Sequence, residues 1–191
     1  MSVLDNQPNF GLAKQRADEF VKSVPKEMFA KEAALPEKLR NLNASKSVKL
    51  RKIYQLADEF SRLMTPYIAC ANGCSHCCHD GVEISSLEAT SISNFSGRAV
   101  RPIQKSILRT DKPYRGSPCP FLVEDSCSVY EVRPLVCRNH ASYDATNTAC
   151  LPAHIDEDRP MLRFGGLLNA WVEVSSGKGD PVLADIRDFF N

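Results

Sequence analysis

Cys70, Cys74, Cys77 and Cys78 place four thiols within nine residues, C-A-N-G-C-S-H-C-C. That spacing is too tight for ordinary disulfide loops. It suits a metal ion or an iron–sulfur cluster, where several thiolates must converge on one point. A second, looser group follows at Cys119, Cys127 and Cys137, with Cys150 beyond it. The two groups lie about forty residues apart, so only the fold can bring them together. Zinc takes four ligands in a tetrahedron, and a [4Fe–4S] cluster usually takes four thiolates. Eight cysteines therefore make two sites, or one site plus spares. Cys77 and Cys78, being adjacent, project in different directions and can serve different ions or roles. Cys150, taken alone, reads equally well as a small buried hydrophobe.

His76 and His79 flank the first thiols, and His140 follows Cys137 by three. Imidazole is a good zinc ligand, and the alternative for each is an unliganded, partly exposed histidine. A thiol redox switch without metal is a further reading of the cysteines.

The surrounding chain limits what those thiols are for. It has 191 residues, 43% hydrophobic and 25% charged, with a formal net charge of +1. These are the proportions of a soluble globular chain, one domain or one domain with an arm. So small a net charge gives no sign of a nucleic-acid or membrane partner. No apolar run is long enough to span a bilayer. The opening M-S-V-L-D-N-Q-P-N-F lacks the basic head and apolar stretch of a secretory signal. A cytoplasmic, reducing setting is expected, in which clustered cysteines stay thiols and hold metal or act in redox chemistry.

The elements that must position the thiols are mostly helical. Phe10, Ala13, Ala17, Phe20, Val21 and Val24 recur at helical spacing until Pro25. They predict a helical arm over residues 1–45, with a second short helix within K-E-A-A-L-P-E-K-L-R-N. The main body is expected over 46–191. A long helix from about Ser47 carries Ile53, Leu56, Phe60, Leu63, Met64 and Tyr67, and Pro66 should kink or end it. If helical turns ran on, the four clustered thiols would share one face; Gly73 makes a loop equally acceptable. G-V-E-I-S reads as a short extended piece. Ser85 with Glu88 forms a capping box for a helix from about Ser86 to Gly97.

A further helix is predicted from Val100 to Leu108. The basic run Arg98, Arg101, Lys105, Arg109, Lys112 and Arg115 reads as its solvated face rather than an RNA-binding stripe. C-P-F-L-V-E-D-S-C-S-V-Y reads as a small hairpin turning at E-D-S. Arg133-Pro134 opens a helix with Cys137 on its first turn. In the tail, one helix carries Met161, Phe164, Leu168 and Trp171. Another follows S-S-G-K-G, itself a flexible turn, with Asp180 as cap and Pro181 in the first turn.

The order C-A-N-G-C-S-H-C-C, then C-P-F-L, then C-S-V-Y-E-V-R-P-L-V-C-R resembles the CxxCxxCC family of zinc- or iron-chelating proteins, the YkgJ-type cysteine cluster proteins. The resemblance covers about residues 70–140. This chain has three residues between its first two thiols, Ala71 to Gly73, where the family name implies two. The resemblance implies that Cys70, Cys74, Cys77, Cys78, Cys119, Cys127 and Cys137 belong to one motif. Flagellin lysine methylases carry a similar module within longer chains, so their activity does not transfer.

Within the motif, Arg133 reads either as a donor to thiolate sulfur or as a carboxylate-paired arginine at a helix start. Tyr130 is expected in the core. The fold expected is a mostly helical single domain with a small β-hairpin, organised around a cysteine-ligated metal or iron–sulfur site. The expected cofactor is zinc or iron. The ligand candidates are Cys70, Cys74, Cys77, Cys78, Cys119, Cys127, Cys137 and Cys150. No complete catalytic constellation is visible. The alternatives to a metal-binding protein are an iron–sulfur enzyme of redox or group-transfer type and a zinc-stabilised interaction module.

Overall fold

Apolar residues spaced three and four apart draw the first half of the chain into a helical layer. In the computed structural model, which describes residues 7–71, 73–176 and 179–190, α1 spans Phe10–Ser23. The Asn9 side chain caps it by accepting from the Leu12 amide, and Ala13, Ala17 and Phe20 are buried. Val21, expected on that stripe, is exposed. Two short helices follow where one was expected, α2 (Lys26–Ala33) and α3 (Leu35–Asn41). The long helix α4, Lys46–Met64, is capped by Ser45 and buries Ile53, Leu56, Phe60 and Met64, while Leu63 faces outward. A single 3-10 turn, Thr65–Tyr67, contains Pro66 and ends it.

These helices close around α7 (Gly165–Ser175). Phe20, Leu39, Ile53, Phe60 and Leu167 form the centre of that core. The Phe60 and Phe164 rings lie 4.3 Å apart between centroids.

A second core holds Ile84, Ile92, Phe121, Val129, Ile186, Phe189 and Phe190, with Cys119, Cys127 and Cys137 packed against it. Its frame is β1 (Glu83–Ser85), antiparallel to β4 (Leu183–Asp185) with Ile84 opposite Ala184. The capping box forms as expected. Ser85 and Glu88 exchange bonds at the start of α5 (Ser86–Ser96), and Gly97 ends the helix at φ +72°. The hairpin is β2 (Leu122–Val123) and β3 (Ser126–Cys127). Its two central residues, Glu124 and Asp125, take positive φ of 47° and 56°, the geometry that matches strand twist in a two-residue turn. α6 (Leu135–Asn139) follows Pro134 and carries Cys137 in its first turn, and α8 (Ile186–Phe189) closes the chain. The described residues are thus mostly helical with two small antiparallel sheets. No helix among the described residues is long and apolar enough to cross a membrane.

Three further expectations fail for identifiable reasons. Residues 100–108 form no helix. Pro102 disfavours helical geometry at Arg101. The segment's amides bond to the C-terminal tail instead, Arg101 N to Phe189 O at 2.9 Å and Ile107 N to Leu183 O at 2.8 Å. Asp180 caps nothing helical, because residues 183–185 pair with β1; Asp185 is the cap, accepting from the Arg187 amide at 2.8 Å. The helix expected to carry Met161, Phe164, Leu168 and Trp171 begins only at Gly165; Phe164 and Trp171 do pack on the core, but the buried stripe is Leu167, Ala170 and Val174, and Met161 and Leu168 face solvent. Of the S-S-G-K-G turn, residues 177–178 lie outside the described residues.

Candidate metal centre

The first thiols sit in a loop rather than on a helical face. Gly73 has φ +83°, a left-handed conformation that breaks any helix through the cluster. A short 3-10 turn over His76–His79 then carries Cys77 and Cys78. The remaining thiols come from the loop before β2 (Cys119), from β3 (Cys127), from α6 (Cys137), and from a 3-10 turn over Asn147–Cys150.

All eight cysteines are free thiols; Cys77 is exposed, Cys150 buried and the other six half-buried. Backbone bonds tie their segments together. Cys119 N donates to Cys78 O at 2.7 Å, and Ala69 N donates to Ser142 O at 2.8 Å. Cys77 lies close enough to Cys70, Cys127, Cys137 and Cys150 for its ionisation to oppose theirs. Cys127 and Cys137 also share a neighbourhood with Cys119, and Cys70 and Cys150 share one with Cys74. The fold therefore brings both sequence groups, Cys150 included, into one region. Among the described residues, no three Cys, His, Asp or Glu side chains close into a group that could hold an ion.

The local chemistry favours thiolate ligands in one respect and opposes them in another. Burial pushes the Cys70 thiol up to about 11 and raises those of Cys119, Cys127, Cys137 and Cys150. For Cys77, exposed as a residue, the hydrogen bond with the Cys78 thiol is the main cause, and desolvation of its sulfur adds to it. The thiols with raised pKa are thus protonated at neutral pH, and a metal would have to displace those protons on binding. Against this, backbone amides aim at sulfur. Ser142 N donates to Cys70 Sγ at 3.5 Å, and the Phe121 and Val129 amides donate to Cys119 and Cys127. Donors to sulfur stabilise its charged form. Arg159 adds a side-chain donor, Nη1 to Cys150 Sγ at 3.6 Å. Soft sulfur donors, several of them held by amides, fit zinc or iron.

The histidines have other partners. His76 Nε2 lies 3.2 Å from Asn147 Nδ2, and His79 Nδ1 lies 3.2 Å from Ser75 O. His140 is half-buried, and burial lowers its pKa. Arg133 follows the carboxylate reading, with Nη2 3.4 Å from Asp58, while its charge also offsets part of the rise at Cys127. Tyr130 is exposed, with the Arg133 guanidinium stacked 3.8 Å from its ring centroid. The basic run is largely spent within the molecule: Arg109 on Asp188, Lys112 and Arg115 on Asp156, and Arg98 on Pro120 O and the Phe121 ring.

Residues 69–153 match the family model described as "CxxCxxCC: Putative zinc- or iron-chelating domain". This segment is similar to that zinc- or iron-chelating family. The match begins one residue before Cys70 and ends three after Cys150, so all eight cysteines fall within the CxxCxxCC segment. Neither the curated proteins nor the solved structures contain a match to the chain.

Sequence reasoning missed three contributors, Ser142, Arg159 and Arg187. Ser142 and Arg159 lie near Cys150 in a stretch with no periodic signal, and Arg187 lies in the tail. No spacing rule points from any of them to a thiol.

Proposed function

We propose that this chain binds zinc or iron through a composite thiolate centre. Its ligands come from Cys70, Cys74, Cys77, Cys78, Cys119, Cys127, Cys137 and Cys150, with iron held as an ion or as an iron–sulfur cluster. The observation that carries this reading is the bond from Cys119 N to Cys78 O at 2.7 Å, which joins the two cysteine groups inside the segment that matches the zinc- or iron-chelating model. Amide donors at Cys70, Cys119 and Cys127 support it, because they favour the thiolate a metal requires. A bound ion or cluster would supply a cross-link between segments far apart in sequence. The protein's own share is to deliver thiols from several loops, offset part of the cost that burial adds to their deprotonation, and shield them with the second core.

Eight free cysteines also fit a reducing compartment. One surface cavity lies between α4 and the 130–138 segment and another reaches α5 as well, and no cysteine lines either of them.

The test is elemental analysis with visible spectroscopy on protein purified without oxygen. Stoichiometric zinc or iron is expected, brown colour marking an iron–sulfur cluster and a colourless protein marking zinc. Changing Cys74 and Cys77 together to Ser should remove most of the metal. Wild-type protein that is folded yet metal-free would sink the proposal.

A further inference from the structure

Arg187 lies in α8, 34 residues beyond the end of the family segment at 153, yet its guanidinium reaches into the thiol region. Nη2 donates to Cys78 O at 3.1 Å and to Ser117 O at 2.6 Å, and Nε donates to Pro118 O at 3.3 Å. Nη1 donates to both oxygens of Asp185, at 3.0 and 3.3 Å. The pair is buried, with side-chain exposures of 7% and 9%. Burying a charge so deeply is costly unless it is paired and hydrogen-bonded, and here it is both. Asp185 is itself fixed, accepting from Val82 N at 2.7 Å and from Arg187 N at 2.8 Å.

The geometry assigns Arg187 a role as a positioning residue for the thiol centre. One planar cation holds the carbonyl of Cys78 and the two carbonyls that lead into Cys119. It thereby fixes the two loops from which a shared ion would take thiolates of both sequence groups. Cys78 O also accepts from Cys119 N at 2.7 Å, so the two loops are joined directly and through Arg187. The same positive charge offsets part of the rise that burial imposes on the Cys119 thiol. Lysine keeps the charge but lacks the fork of donors that spans three carbonyls. The inference rests on the metal-centre reading and extends it to the tail outside the family segment.

The test uses the full, reduced chain carrying Arg187→Lys, Arg187→Met or Asp185→Asn, with Leu167→Ala in the other core as a control for general loosening. Two readouts are taken: release of added Zn2+, or anaerobically of Fe2+, to a chelator, and iodoacetamide labelling of each cysteine in metal-free protein. Both Arg187 variants should release metal about tenfold faster or more, the usual scale for groups that orient ligands. Cys78 and Cys119 should label faster while Cys70 and Cys150 keep wild-type rates. Asp185→Asn, which keeps the guanidinium but weakens its anchor, should fall between. Wild-type metal retention in the Arg187 variants, or equal acceleration of all four thiols as in Leu167→Ala, overturns the assignment. If wild-type and variant protein are alike unable to bind either ion, the metal-centre reading has failed and takes this inference with it. That outcome is distinct from metal loss confined to the variants.

Discussion

Glu88 shows how one residue joins a legible local rule to an illegible distant one. Its carboxylate is almost fully buried. It accepts from Ser85 N at 2.9 Å and Ser85 Oγ at 3.1 Å, which is the capping box. It also accepts from Tyr54 OH at 3.0 Å and from Leu135 N at 2.8 Å, the first amide of α6. Burial, and then the charge of Glu88, raise the Tyr54 hydroxyl, which therefore stays a donor. The box could be read from S-S-L-E; the reach to Leu135 could not, since it depends on α5 meeting α6 across 47 positions. Glu88→Gln places an amide donor against other donors. An unsatisfied buried group costs about 1–3 kcal/mol. For a chain of this size that lowers Tm by about 2–12 °C. Thermal unfolding followed by circular dichroism would show it, and an unchanged Tm would mean the four bonds are replaceable. The cysteines were legible as a set for a similar reason: their density is a local fact. Tyr130 was not, because its exposed ring is held by Arg133 rather than by the core.

At the scale of elements, helices with a wide apolar stripe were legible, and those defined by their neighbours were not. α4 starts one residue before the expected Ser47, capped by Ser45, and ends ahead of Pro66 as expected. Residues 100–108 carry helical spacing at Val100, Ile103 and Ile107, yet their amides are taken by the C-terminal tail. Tertiary pairing outweighs a weak, proline-interrupted propensity. The stripe of α7 was misjudged because its N-terminus is set by a close approach rather than by hydrophobicity. A Cβ on Gly166 would lie 2.1 Å from the Glu32 carbonyl oxygen, and Glu32 Oε1 accepts from Leu167 N at 3.0 Å. The Glu32 side chain therefore caps α7 while its carbonyl packs against Gly166, and only glycine admits that approach. Gly166→Ala should destabilise the protein by about 1–3 kcal/mol or more, the range for overpacking. Gly165→Ala, where an added Cβ meets nothing within 4 Å, should not. Denaturant midpoints of the two variants check this, and equal midpoints would mean the α2–α7 contact yields easily.

Across the whole molecule, the second core is held shut by its last residues, and this had no local signature. Glu83 opposite Asp185 is a pairing across about a hundred positions. Three carboxylate or guanidinium groups of the tail grip the segments that lead to Cys78 and Cys119: Asp185, Arg187 and Asp188. Asp188 accepts from Arg109 Nη2 and Tyr114 OH, each at 2.7 Å. Burial would raise its carboxyl, but the hydrogen bonds from Arg109 and Tyr114 outweigh it and hold the group below its ordinary value. A depressed carboxyl contributes stability above the unfolded value of about 3.9 and loses it as pH falls through the folded value. Asp188→Asn should therefore unfold at lower urea than wild type at neutral pH, with the gap closing as pH drops below about 4. A gap of constant size from neutral pH to about pH 3 would show that Asp188 acts by shape rather than by charge. If the gap closes, acid loosens the 109–114 segment and the tail together, and with them the clamp on the thiol loops. Metal should then leave at low pH for two reasons, proton competition at sulfur and release of the tail. Asp188→Asn should remove the second reason and leave the first.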